Sequence, residues 1–180
     1  MSLMHESPLR FPFHPSLVVL MLSLQLCGCA TSHQKQDPTD PVQQVKLGNR
    51  YYEGKSVAKD NETAVLWYRK AALQGNADGQ FYLGRCYSRG DGVPKNDIEA
   101  AQWYMKAAEQ DCTEAQYRLG LCYERNEGVP QDNMTAYKWL NIAASSGDEN
   151  ARAARNAVAC RMTEAQVTQA QKLSQVWQPK

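Results

Sequence analysis

An all-α fold, a short α/α solenoid of about three 36-residue helix-turn-helix repeats closed by a C-terminal capping helix, follows from two observations on this 180-residue sequence. Leu47-Gly48, Leu83-Gly84 and Leu119-Gly120 recur every 36 residues, and Trp67, Trp103 and Trp139 recur at the same interval. A fixed period of this size marks a solenoid or array, because one such unit cannot bury its own apolar face. Each unit is also divided by a glycine-containing loop, which carries a proline in the second and third units, into two stretches of helical periodicity. Ala71-Ala72, Ala107-Ala108 and Ala143-Ala144 keep the register, as do Val57, Val93 and Val129.

The second helix of each unit is the clearer. Ala100, Trp103, Tyr104, Ala107 and Ala108 follow an i, i+3, i+4, i+7, i+8 pattern, matched by Ala64, Trp67, Tyr68, Ala71 and Ala72 and by Ala136, Trp139, Leu140, Ala143 and Ala144. That pattern is one wide apolar stripe. In the first helix, Leu83, Gly84 and Tyr87 share a side, repeated as Leu119, Gly120 and Tyr123. Glycine inside a helix costs up to about 1 kcal/mol against alanine, so its recurrence there points to a close helix contact. Asp60, Asn96 and Asp132 stand where a side-chain oxygen would cap the second helix, and Gly75 and Gly147 where a left-handed residue would end it. Thr163 and Gln166 have capping-box spacing. Val167, Ala170, Leu173 and Trp177 form a stripe behind them, read as a final helix that covers the open end of the array.

The order Ala-x5-Leu-Gly-x2-Tyr, then Gly-x-Gly-Val, a polar cap and Ala-x2-Trp-Tyr-x-Lys-Ala-Ala-x2-Gly resembles the Sel-one-like repeat, a relative of the tetratricopeptide repeat. Residues 77–112 are its fullest copy, with 42–76 and 113–148 as the others and 149–180 as a partial repeat with the capping helix. The resemblance implies a right-handed solenoid. Four residues depart from the pattern: Ser56 and Asn126 for loop glycines, Asp111 for the terminal glycine and Leu140 for tyrosine.

The N-terminal residues read as an export signal. Leu17 to Leu26 is an apolar run, too short for a bilayer core that needs about 20 residues. Leu26-Cys27-Gly28-Cys29 resembles the bacterial lipobox, which implies cleavage after Gly28 and a diacylated Cys29. Residues 1–28 are thus expected to be a lipoprotein signal peptide and 29–41 a polar, proline-containing tether. With two or three acyl chains, at about 0.8 kcal/mol per buried methylene, anchoring to the membrane would be permanent. Ala30, in place of Asp, implies by the behaviour of enteric lipoproteins the outer membrane, with the domain facing the periplasm.

With 43% apolar and 22% charged residues and a net charge of +1, the chain has no basic run of the kind that binds nucleic acid. All three histidines, His5, His14 and His33, precede the repeats, and no nucleophile–base pair, metal-ligand spacing or phosphate loop is present in them. The expectation is no enzyme, no catalytic residue, no metal or other cofactor and no small-molecule substrate. Cys86 and Cys122 hold one repeat position, where packed helices would separate them by about 8–10 Å, beyond the roughly 7 Å reach of a disulfide. Buried free thiols are one reading; a bridge, with Cys122 and Cys160 as the best pair, is the other.

The family resemblance implies that the first helices line a concave face that binds another protein or a peptide. Carried over, the contact positions are Tyr52, Phe81, Arg85, Ser88, Arg89, Tyr117, Leu121, Glu124 and Arg125. Aromatic residues beside arginines are the composition of interface hot spots. The alternative function implied by cysteine-rich relatives is a weak penicillin-binding or hydrolytic activity, although their regular within-repeat cysteine pair is missing here.

Overall fold

Residues 38–180 are described in the structure, a computed structural model; the expected signal peptide, Cys29 and the expected tether up to residue 37 lie outside the described residues. Eight α-helices follow in order among them: α1 (Pro41–Glu53), α2 (Asn61–Leu73), α3 (Ala77–Arg89), α4 (Asp97–Ala108), α5 (Thr113–Arg125), α6 (Asn133–Ser145), α7 (Glu149–Ala159) and α8 (Glu164–Gln175). Three helical hairpins, α1–α2, α3–α4 and α5–α6, stack so that the second helix of each also packs on the first helix of the next. Direct contacts also join α1 to α3 and α5 to α7, which brings the first helices together along one side of the stack.

Each hairpin is set by a contact at its glycine. A Cβ on Gly48 would lie 2.6 Å from the Tyr68 ring, one on Gly84 2.9 Å from Tyr104, and one on Gly120 2.6 Å from Leu140. The close approach expected from the repeated glycine is therefore real, but its partner is the residue after the tryptophan. Leu140 fills the tyrosine place in the third repeat with no change in the contact. Around it the alanines Ala64, Ala71, Ala72, Ala100, Ala107, Ala108, Ala136, Ala143 and Ala144 are buried. Trp67 and Trp139 are buried too, whereas Trp103 is only partly covered.

The side chains of Asp60, Asn96 and Asp132 accept backbone N–H bonds at the start of α2, α4 and α6. A second series escaped the sequence reading. Asp40, Asn76 and Asp148 cap α1, α3 and α7 in the same way, while Cys112 holds that position before α5 without a side-chain cap bond. Thr163 and Gln166 complete their capping box in both directions.

The three departures from the glycine pattern keep the glycine conformation. Ser56, Asp111 and Asn126 have φ of 63°, 66° and 60°, a left-handed backbone that L-residues adopt at a cost. Serine is tolerated at position 56 for a structural reason. Its counterparts Gly92 and Gly128 press on the preceding repeat: a Cβ would meet Asn61 O at 2.3 Å in the first case and Asp97 O closer still in the second. No repeat precedes Ser56 among the described residues, so at that place the backbone conformation is the remaining demand.

The C-terminal segment forms the expected final helix, with one face residue different. After a short turn, α8 packs on α6. Its face is Val167, Ala170, Ser174 and Trp177, with Leu173 exposed. Ser174 Oγ accepts from Asn141 Nδ2 at 2.7 Å, and Gln171 Nε2 donates to the Tyr137 hydroxyl at 3.2 Å. Beyond the helix, Trp177 meets Trp139 edge-on at 5.7 Å. Lys180 then bonds Glu109 twice, by its backbone N–H at 2.7 Å and its ammonium at 2.8 Å. The segment is a strap from repeat three to repeat two.

Gly128→Ala is expected to lower stability by about 3 kcal/mol, combining left-handed strain with backbone overpacking. Ser56→Ala should stay within about 0.5 kcal/mol of the parent, and thermal unfolding of the two variants side by side measures the difference.

Candidate protein-binding face

The expected contact positions lie on three consecutive first helices. Phe81, Arg85, Ser88 and Arg89 run along α3, and Tyr117, Leu121, Glu124 and Arg125 occupy the same places on α5. Tyr52 ends α1 at the place of Ser88 and Glu124. Spacings of four, seven and eight residues put each set on one helix face.

Repeat junctions use part of this face. The Arg85 guanidinium lies 4.8 Å from the ring centres of both Tyr52 and Tyr82, and the Tyr52 hydroxyl donates to Asp91 Oδ2 at 2.7 Å. Burial and that carboxylate raise the Tyr52 hydroxyl above its ordinary pKa. Arg85 and Tyr52 thus stitch repeat one to repeat two. Ser88 Oγ donates to the Arg85 carbonyl at 3.0 Å and sits 3.1 Å from the Tyr104 hydroxyl. Phe81 leans on Tyr82 and Tyr104, with ring centres 5.3 and 6.0 Å away.

At the next junction Leu121 is buried, with 5% of its surface exposed. It lies at the wall of a cleft of about 60 Å³ shared with Ser88, Tyr104, Arg118, Cys122 and Arg125. Glu124 is held by Arg161 Nη2 at 2.7 Å, and Arg118 lies beside the half-buried Tyr117 ring at 5.6 Å. Arg89 and Arg125 are exposed, Arg89 hydrogen-bonded to Tyr52 and Arg125 3.9 Å from Glu124. Tyr82, Asp91 and Arg161 belong to the site without having been expected, because each reaches it from a neighbouring face, loop or helix.

Three of the thiols are held protonated at neutral pH by their surroundings. Burial pushes Cys86 up to about 11, Cys112 to about 11 and Cys122 to about 12. All four cysteines among the described residues are free, with Cys86 and Cys122 buried and Cys160 exposed. No group of three or more histidine, cysteine or acidic residues fit for a metal occurs among the described residues. No helix there is long and apolar enough to cross a membrane.

The Sel1 repeat family model matches residues 44–76, 77–112 and 113–148. Solved structures are similar as well. One is a protective antigen present in uropathogenic Escherichia coli strains and displaying an SLR fold, 34% identical with a TM-score of 0.71, over 77% of this chain and 30% of that one. A Sel1 repeat protein from Oxalobacter formigenes is 39% identical with a TM-score of 0.63, over 65% of this chain and 47% of that one. Cysteine rich protein B of Helicobacter pylori is 25% identical with a TM-score of 0.53, over 63% of this chain and 87% of that one. The chain therefore spans under half the length of the first two. No curated protein matches it in sequence.

Folded Cys86 and Cys122 keep their protons to about 11 and 12, whereas an unfolded thiol ionises near 8.5. Their contribution to stability is complete below about pH 8.5 and is lost as pH rises through the folded values. In a thiol-labelling time course at pH 8, Cys160 should react at once and Cys86 and Cys122 at the rate of unfolding; immediate labelling of Cys122 would contradict the burial.

Proposed function

The chain belongs to the Sel1 repeat family, and from that premise we propose that it is a lipid-anchored protein of the bacterial cell envelope, a scaffold that holds a protein partner against the first helices of its solenoid. Sel1 repeats generally mediate protein–protein interactions, and proteins of the family are generally non-catalytic. The observation that carries the reading for this chain is the pair of exposed arginines, Arg89 and Arg125, at equivalent places on the helix faces that also carry Phe81 and Tyr117 about two turns away. Arginine and aromatic groups at the centre of a face supply directional contacts with little loss of side-chain freedom. Partner atoms of complementary chemistry are carbonyl and carboxylate oxygens flanked by apolar side chains.

Anchoring rests on the leader and on Cys29 as the acylated residue. Ala30 after that cysteine favours the outer membrane with the repeats in the periplasm. Similarity to an E. coli protein described as a protective antigen supports a site outside the cytoplasm. The alternative, a cysteine-containing periplasmic protein with weak penicillin-binding or hydrolytic activity, is the weaker reading, because the regular within-repeat cysteine pair of such relatives is missing and Cys86 and Cys122 are buried free thiols.

The test is capture from membranes after mild crosslinking, with mass spectrometry of the bait's N-terminus. The parent should begin at an acylated Cys29 and retain a reproducible envelope partner, and Cys29→Ala should leave the membrane fraction. Arg89→Glu combined with Arg125→Glu should lower capture at least tenfold, about 1.4 kcal/mol, at unchanged melting temperature. These two replace Arg85 as the choice, since Arg85 is bound between two rings. A chain with an intact N-terminus in the soluble fraction would overturn the anchor, and undiminished capture by the double variant would overturn the face.

A further inference from the structure

Repeat one holds its incoming chain with the side chain that later repeats use to hold the repeat before them. Gln80 and Gln116, buried and 36 residues apart, donate Nε2 to the Ala72 and Ala108 carbonyls of the preceding repeat, each at 3.4 Å. Gln44 has the same place in α1, where no repeat precedes it among the described residues, and its Nε2 donates to the Pro38 carbonyl at 2.9 Å. Its Oε1 accepts from Gln74 Nε2 at 2.8 Å, a bridge repeated by Gln110 and Gln80 at 2.8 Å. A buried amide satisfied at both ends is a fixed joint. The chain therefore enters the solenoid at the C-terminal end of α2.

That helix carries apolar surface that nothing covers among the described residues. Leu73, beside Gln74, is 73% exposed, and Leu66, seven residues earlier on the same helix face, is 60% exposed. The repeat does not require leucine at these places, since α4 has Gln102 and Glu109 there and α6 has Lys138 and Ser145. Residues 29–37 contain no large aliphatic side chain and no Phe, Tyr or Trp with which to cover them. Arg69 stands between the leucines, exposed, with Nη2 donating to the Tyr87 hydroxyl at 2.8 Å. Glu62 is also exposed, one turn before Leu66 and away from the chain entry. Charge is distributed in the same sense. Residues 38–76 hold six Lys or Arg against four Asp or Glu, and residues 77–180 hold twelve against thirteen.

We infer that α2 rests on the membrane surface, with Leu66 and Leu73 dipping into the headgroup region and Arg69 toward lipid phosphates. The inference rests on the acylated Cys29 proposed above. From Cys29 to Pro38 is nine residues, a stretch that reaches at most about 30 Å, so the end of α2 beside Pro38 is held close to the bilayer. A helix lying in the interface buries its apolar face about 5–10 Å deep and gains from cations near anionic lipid. Because α2 is a second helix, this contact leaves the row of first helices open to a protein partner.

The test uses the full chain, reconstituted through its acyl groups into vesicles of phosphatidylethanolamine and phosphatidylglycerol. The fluorescent residue acridonylalanine is placed singly at Leu66, Arg69, Leu73 or, on α8, Leu173, and its quenching by lipid with a nitroxide headgroup is measured. Quenching at the three α2 sites should exceed that at Leu173 at least about threefold, as immersion in the interface requires. Leu66→Gln with Leu73→Glu installs the residues of repeat two. It should bring quenching at Arg69 down to the level at Leu173, at unchanged melting temperature and with the chain still in the membrane fraction. The mass of the N-terminus separates the two ideas. In an acylated chain, absent quenching on α2, equal quenching at Leu173 or undiminished quenching in the double variant would overturn the membrane contact and leave the anchor standing. Emission at Leu73 that follows protein density and not nitroxide lipid would overturn it in favour of a second copy of the chain. An N-terminus without acyl groups would overturn both.

Discussion

Everything in this molecule depends on how closely two helices of one repeat approach at a residue with no side chain. Gly48, Gly84 and Gly120 admit Tyr68, Tyr104 and Leu140 to distances that a Cβ would forbid. Glycine inside a helix is unfavourable by itself, and the offset is the burial of a large side chain and of the alanines flanking it. The Tyr68 and Tyr104 hydroxyls then find partners, Asn49 at 2.7 Å and Ser88 at 3.1 Å, so the buried polar ends are not left unmet. Leu140 fills the same space with nothing polar to satisfy.

From that hairpin geometry the stacking follows. The loops after α3 and α5 lie against the start of the preceding second helix, and at Gly92 and Gly128 backbone meets backbone. Repeats locked in this way set the first helices side by side, and the face they share is partly consumed by the junctions themselves. Arg85 and Tyr52 are interface residues of the solenoid before they are anything else. What the row still presents to a partner is the exposed arginines at 89 and 125 and the half-buried rings at 81 and 117.

Much of this was legible in the sequence because a repeat shows each feature three times. The helix pairs, the caps at Asp60, Asn96 and Asp132, the capping box at Thr163 and the alanine stripes all follow from period and local chemistry. The caps at Asp40, Asn76 and Asp148 were equally local, and the interruption of their series by Cys112 hid them. The glutamine pairs were harder, since each joins residues 30 positions apart and neither member is an apolar marker. The C-terminal strap lies outside the repeat, so Leu173 was placed on a face that Ser174 occupies. The surroundings of Arg85 and Leu121 were less legible, because Tyr52 reaches Arg85 and Tyr104 shares the cleft with Leu121 from the preceding repeat, while Tyr82 flanks Arg85 from its own helix.

The central claim is that the first helices, and not the outer second helices, meet the partner. Photocrosslinking from single sites in the membrane-bound protein tests it most directly, with benzoylphenylalanine placed at Arg89 or Arg125 on the inner row and at Glu62 or Gln102 on exposed positions of α2 and α4. The account predicts crosslinks to one partner from both inner sites and none from the outer pair. Crosslinks from the outer pair alone would contradict it.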